Sequence, residues 1–184
     1  MRWILMGTAA LWGVLELRQS ITRRPEAMKA GWASEVLFRV IVGVGALMAG
    51  ALSSVAQAAR IRPAGVADWV GLALIWTGIG LRQWSFRTLG RYFTFIIQAS
   101  CDQPVIADGP YHLIRHPSYA GFLLEIMAVG LFIGNWLSFV CLTVATTGGL
   151  VYRIGVEEAA LMQHLGDGYR DYAASRKRLI PFIW

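Results

Sequence analysis

Fourteen positions, Asp108 to Gly121, hold two of the chain's three histidines, two of its six prolines and two of its six tyrosines. They read Asp108-Gly109-Pro110-Tyr111-His112-Leu113-Ile114-Arg115-His116-Pro117-Ser118-Tyr119-Ala120-Gly121. In a chain made mostly of apolar runs, such a polar cluster is where a membrane protein does its chemistry. Pro117 suits the first position of a helix, where it fixes the backbone and sacrifices no hydrogen bond. The free amides of that helix start would then face the preceding connector and suit an anionic group, with Arg115 and His116 beside it. Tyr111 and Tyr119 add aromatic faces for a flat ring and hydroxyls for polar contact. On the plainer reading, Arg115 only reports topology and His116 is an interfacial hydrogen bonder.

A second group of polar residues comes later in the chain. Glu157 and Glu158 are adjacent, so on a helix they point about 100° apart. They are therefore not expected to work as paired carboxylates: one faces a site, the other solvent or a cation. The alternative is an acidic first turn favoured by the helix dipole. Tyr169, Tyr172 and Arg176 share one helical face by spacing, and Arg178 lies just beyond, ahead of Leu179-Ile180-Pro181. Arg176-Lys177-Arg178 also reads as a lipid-facing basic patch. Glu125, an acid within an apolar stretch, is costly unless it faces protein, water or a partner, and Arg39 or a cavity is expected to meet it. His112 and His164 read as plain polar residues. No histidine pair has zinc spacing, so no metal is expected, and the glycines form no phosphate loop. Cys101 and Cys141 make neither a metal site nor a disulfide framework by spacing, and Cys141 is expected to pack inside a span.

The elements that must position these residues are spans. Of 184 residues, 56% are hydrophobic and 15% charged, where a soluble domain carries about a quarter charged. One integral membrane domain over residues 1–184 follows, all-α, with about five transmembrane helices. Trp3–Leu17 is the first span, short enough that an interfacial helix is the alternative. Glu16-Leu17-Arg18 lacks a small-residue cleavage pattern, so no signal peptide is expected. Residues 18–35 connect to a second span, Leu37–Ala59, whose glycines and alanines suit close helix approach. Val66–Leu81 is the third span and completes an N-terminal part, 1–81.

The remainder, 82–184, carries the connector, a helical hairpin and the tail. The connector, 82–118, is long enough to be functional, and β-prone runs at Arg91–Ile97 and Pro104–Ile106 suggest a small ribbon. Tyr119–Tyr152 is too long for one crossing, and Gly134-Asn135 breaks it into spans four and five. Val156–Leu165 reads as a helix stopped at Gly166-Asp167-Gly168, and Tyr169–Arg176 as a last short one. Thirteen Lys and Arg residues fall on the side of the connector and tail and three on the other. The positive-inside rule thus predicts an outside N-terminus, with connector, tail and site on the cytoplasmic face. The net charge of +6 lies between spans, where it reports topology and anionic lipid. No nucleic-acid partner is expected, because no recognition fold is present.

In order and spacing, Gly109-Pro110-Tyr111, Arg115-His116-Pro117-Ser118-Tyr119-Ala120-Gly121, Glu157-Glu158 with Leu161, Gly166, and Tyr169, Tyr172, Arg178 and Pro181 resemble the isoprenylcysteine carboxyl methyltransferase family. The phospholipid methyltransferases look related in the same region. The resemblance covers roughly residues 80–184. Leu165, where an aromatic commonly precedes the glycine, and the Gln103-Pro104 entry to the connector depart from the pattern without touching its core.

The resemblance implies a polytopic helical enzyme that uses S-adenosyl-L-methionine, leaving S-adenosyl-L-homocysteine, without a Rossmann fold. It implies cofactor contacts from Tyr111, Leu113, His116, Pro117, Tyr119, Glu157, Tyr169 and Tyr172, in a pocket of connector and tail. It also implies a lipophilic or prenylated acceptor arriving from the bilayer, foremost a carboxylate such as that of an isoprenylcysteine. Arg178 would orient that carboxylate, and Glu158 would take the proton if the acceptor were an amine. Two other readings stand beside it. The Gly-Pro-Tyr and Arg-His-Pro elements also resemble the C-terminal part of NADPH-dependent membrane sterol reductases, a class for which this chain is short. A small membrane scaffold without enzymatic activity is the other. Oligomeric state is not legible.

Overall fold

The computed structural model describes residues 2–21, 32–90 and 105–184. Five α-helices carry the fold: α1 Arg2–Ile21, α2 Trp32–Val55, α3 Ala64–Leu89, α4 Pro117–Ile133 and α5 Trp136–Ser175. Short 3-10 turns at Gln57–Ala59 and Gly109–His112 precede α3 and α4. Among the described residues there is no strand; the expected ribbon over Arg91–Ile97 lies outside them. Helices α2, α3 and α5 are long and apolar enough to cross a membrane, whereas α4 is a shorter apolar helix of 17 residues. α3 packs chiefly on α4, and α2 on α5. Helix α1 reaches the bundle through Trp12 and Leu15, which rest on Ile75, Ile79 and Ala128.

The α4–α5 hairpin turns where the sequence breaks. Gly134 adopts the left-handed conformation (φ 74°), which costs a glycine little. Asn135 then caps α5, its Oδ1 accepting from the amides of Leu137 and Ser138 at 3.0 and 3.2 Å. Its amide nitrogen donates to the carbonyl of Ala56 at 2.8 Å, tying the turn to the end of α2.

Close approach occurs on α2, as its small residues suggest, and again on a second pair of helices. Within α2 only Gly45 packs tightly, against Ala145, while Gly43 and Gly50 face open space. The tight crossing is α3 on α4. A Cβ at Gly78 would stand 2.6 Å from the Gly121 carbonyl, and one at Gly121 would stand 2.7 Å from the Gly78 carbonyl. Here backbone faces backbone, so no side chain can give way. Gly78→Ala is expected to destabilise the protein by about 1–3 kcal/mol, read as a lower thermal midpoint in detergent; an unchanged midpoint would contradict the crossing.

Three expectations need correction. Helix α3 does not end at Leu81 but runs on to Leu89, so Arg82 is a bundle residue and not part of the connector. Glu125 is met by Arg82, not Arg39: Arg82 Nη1 and Trp12 Nε1 both donate to its Oε2 at 2.9 Å. Arg39 pairs with Glu35 one turn away. Finally, the expected helix 156–165 is continuous with span five; Gly166 (φ 56°, ψ −134°) leaves helical geometry and breaks α5 where the sequence places the stop, ahead of a last helical stretch that ends at Ser175. A crossing needs about 20 residues, so the part of α5 beyond Arg153 stands clear of the apolar stretch Trp136–Tyr152.

Candidate active site

The site begins at the start of α4. His116 is the N-cap residue and Pro117 opens the helix, as a ring lacking an N–H favours. The segment before it is held by the tail: the amides of Arg115 and His116 donate to the carbonyls of Lys177 and Arg178 at 2.8 and 2.9 Å. With the Ile114–Lys177 bridge, this parallel pairing joins two segments that are distant in sequence.

Glu158 lies at the centre, 3% exposed. Its Oε1 accepts from Arg115 Nη1 at 2.9 Å and from His116 Nε2 at 3.2 Å, and its Oε2 from Arg178 Nε at 2.9 Å. Burial pushes its carboxyl up most strongly, but hydrogen bonds from His116 and Arg178 and the charges of His116 and Arg115 outweigh it. The net position is below the usual carboxylate range. A carboxylate is acceptor-only, so His116 presents Nε2–H to it. Arg178 is supported from its other side by Trp184, whose ring centre lies 5.4 Å from the guanidinium. Trp184 also accepts the amides of Leu179 and Ile180 at its carbonyl.

Glu157 faces the same helix start. Its Oε2 accepts from the Tyr119 hydroxyl at 2.6 Å and lies 4.0 Å from His116 Nδ1, beyond a hydrogen bond. The Tyr119 ring stacks on His116 at 5.5 Å and 8°. The two acids therefore reach the same turn from different sides, Glu158 meeting cations, as one of the pair is expected to, and Glu157 a hydroxyl. Their directions do diverge, but the broad Arg115–Tyr119 turn spans the angle between them.

The remaining candidates form a second layer. The Tyr172 hydroxyl donates to the Tyr111 carbonyl at 2.8 Å, and its ring lies 5.9 Å from that of Tyr169. Tyr169 and Tyr111 are buried, Tyr111 pairing with Ser85 on α3. Burial pushes the Tyr172 phenol up to about 12. It raises Tyr169 and Tyr111 further, helped by nearby glutamate charge, so all three remain neutral donors near pH 7. Leu113 and Pro117 lie elsewhere, along an apolar groove of about 380 Å³ that also takes in Leu81, Leu124, Met127 and Ile180. His112 and His164 are exposed, and the latter bonds its own helix at Ala160.

Two residues escaped the sequence reading. Arg153 Nε donates to the Tyr119 hydroxyl at 2.8 Å, and its Nη1 lies 2.6 Å from Glu35 Oε2. A cation ending the apolar run Trp136–Tyr152 is the available signal, though charge counting alone reads it as topology.

The profile of the Isoprenylcysteine carboxyl methyltransferase (ICMT) family matches residues 69–163. A probable protein-S-isoprenylcysteine O-methyltransferase of Oryza sativa subsp. indica is 34% identical over 118 residues, which is 63% of this chain and 62% of that protein. Protein-S-isoprenylcysteine O-methyltransferase A of Arabidopsis thaliana is 34% identical over 120 residues, 62% of this chain and 61% of the relative. The chain thus spans less than two thirds of these relatives' length. Among solved structures, the eukaryotic intramembrane Ras methyltransferase ICMT superimposes with a TM-score of 0.56 at 26% identity, over 82% of this chain and 52% of that one. The matched region runs from Trp69 in α3 through α4 and along α5 as far as Gln163, taking in both glutamates of the site, and the chain belongs to the isoprenylcysteine carboxyl methyltransferase family.

Proposed function

We propose that this chain is an S-adenosylmethionine-dependent methyltransferase of the membrane that esterifies a lipophilic carboxylate, that of an isoprenylcysteine fitting best. The observation that carries the reading is a shared wall. Arg178 reaches the buried Glu158, while the next three residues, Leu179–Pro181, line the apolar groove. A carboxylate and its greasy tail would thus be held by one stretch of chain. The names of the rice and Arabidopsis relatives point to the same acceptor class.

When bound, S-adenosylmethionine supplies an electrophilic methyl group on a sulfonium. Arg115, whose buried Nε has no hydrogen-bond partner among the described residues, fits the carboxylate of such an amino-acid cofactor. His116, Tyr119 and Glu157 surround the same place, with Tyr111, Tyr169 and Tyr172 behind them. Leu113 and Pro117 are assigned instead to the acceptor, because they line the groove. A carboxylate acceptor would need no base, so the chain's own residues would have no proton to move. Alignment and a shielded polar site therefore supply most of the acceleration. Arg178 orients the acceptor carboxylate. Glu158 has both oxygens committed to cations and is a poor proton acceptor, which favours a carboxylate over an amine. The same reading has five crossings, an outside N-terminus and a cytoplasmic-side site.

The test is methyl transfer from labelled S-adenosylmethionine to N-acetyl-S-farnesylcysteine by the purified protein in lipid nanodiscs. A base-labile ester is expected, and none from the corresponding amide. Arg178→Ala should lower turnover by about 10- to 100-fold, the worth of one charged hydrogen bond, with S-adenosylhomocysteine still bound. Unchanged turnover would remove Arg178 from its role. A protein stabilised by NADPH and not by S-adenosylhomocysteine would overturn the reading.

A further inference from the structure

We propose that Arg153, anchored by Glu35, is a positioning residue that holds the Tyr119 hydroxyl in place for its hydrogen bond to Glu157. Proton inventory leaves the hydroxyl one arrangement. An arginine Nε–H can only donate, and at 2.8 Å it does so to the Tyr119 oxygen. The hydroxyl must accept there, so its single proton goes to Glu157 Oε2, 2.6 Å away.

Arg153 is itself held on several sides. It is 3% exposed, its Nη1 meets Glu35, and its guanidinium lies 5.7 and 5.9 Å from the ring centres of Tyr119 and Phe38. Glu35 Oε1 in turn accepts from Arg39 Nε at 2.6 Å. A chain of charge and hydrogen bonds thus runs from α2 through α5 to the start of α4, and back to Glu157 on α5. It leaves Glu157 as an oriented carboxylate, a quarter exposed at the rim of the site (26%), for a hydroxyl or ammonium of the bound ligand. It also steadies the Tyr119 ring that stacks on His116.

This proposal rests on the reading of the site as the methyl-donor pocket, and its test separates the two. S-adenosylhomocysteine affinity, and kcat and KM for each substrate, are measured for wild type, Arg153→Lys, Tyr119→Phe and the double variant in nanodiscs. Lysine keeps the charge beside Glu35 but lacks the fork that reaches both partners. Each single variant should weaken S-adenosylhomocysteine about tenfold and raise the KM for the donor, with the acceptor KM unchanged. The double variant should be no weaker than either single, because both remove the same link. A product of effects near a hundredfold, or wild-type affinity in Arg153→Lys, would overturn the proposal while leaving the donor pocket standing. No binding by the wild type would overturn the pocket reading and this proposal with it. Should Arg153→Lys fail to fold, Glu35→Gln takes its place in the cycle: it keeps shape and loosens the anchor, and additivity with Tyr119→Phe again counts against the proposal.

Discussion

Glu158→Ala should lower methyl transfer about a thousandfold, the kinetic equivalent of the 3–5 kcal/mol lost when a buried charge pair is broken. The size follows from geometry. One carboxylate with two oxygens restrains Arg115, His116 and Arg178, and removing it leaves three donors crowded around a void with nothing to set their directions. A displacement that depends on alignment is sensitive to such freedom. Glu158→Gln should fall between, since an amide keeps one acceptor and turns an NH2 toward a cation. Glu157→Ala should cost far less, because Glu157 is partly exposed and accepts a single hydroxyl. Initial rates at saturating donor and acceptor, on variants that elute as wild type, decide the matter. A loss under about tenfold for Glu158→Ala would mean that the tail's backbone pairing alone holds the cations in place.

The second large effect is on stability. Arg82→Met leaves the buried Glu125 carboxylate with Trp12 Nε1 but without the Arg82 cation, and should cost about 3–5 kcal/mol. Adding Glu125→Gln should recover most of it: the charge is gone, and an amide oxygen still accepts from Trp12 Nε1, as Oε2 does at 2.9 Å. Unfolding in mixed detergent micelles measures both. A single-variant loss under about 1 kcal/mol would show that water reaches the pair and screens it.

What the sequence made legible was local. Gly134-Asn135 announced the hairpin because a left-handed glycine followed by a capping side chain is chemistry within three residues. Pro117 announced the start of α4 for the same reason. The ordered motif from Arg115 to Arg178 brought together residues that the structure also brings together, though composition alone would have left Arg115 and Arg178 as topology markers. What failed was what depends on distant partners. Arg82 was placed in a connector because hydropathy falls at a charge while helix geometry continues past it. Arg153 and Glu35 meet across the bundle, a relation that no periodicity records. Helix geometry alone sets Glu157 and Glu158 apart, but the breadth of the turn opposite them has no signature in the sequence.

The wall formed by residues 177–181 has a consequence for how such a protein diversifies. Its backbone docks Arg115 and His116, its arginine reaches Glu158, and its next side chains line the apolar groove, which on the proposed function would take the acceptor's hydrocarbon. Resizing Leu179 or Ile180 to suit a different tail would push on Arg178 at once. Tolerated change should therefore accumulate on the facing side of α4, at Leu123, Leu124 and Met127, where the groove can be reshaped without disturbing charge alignment.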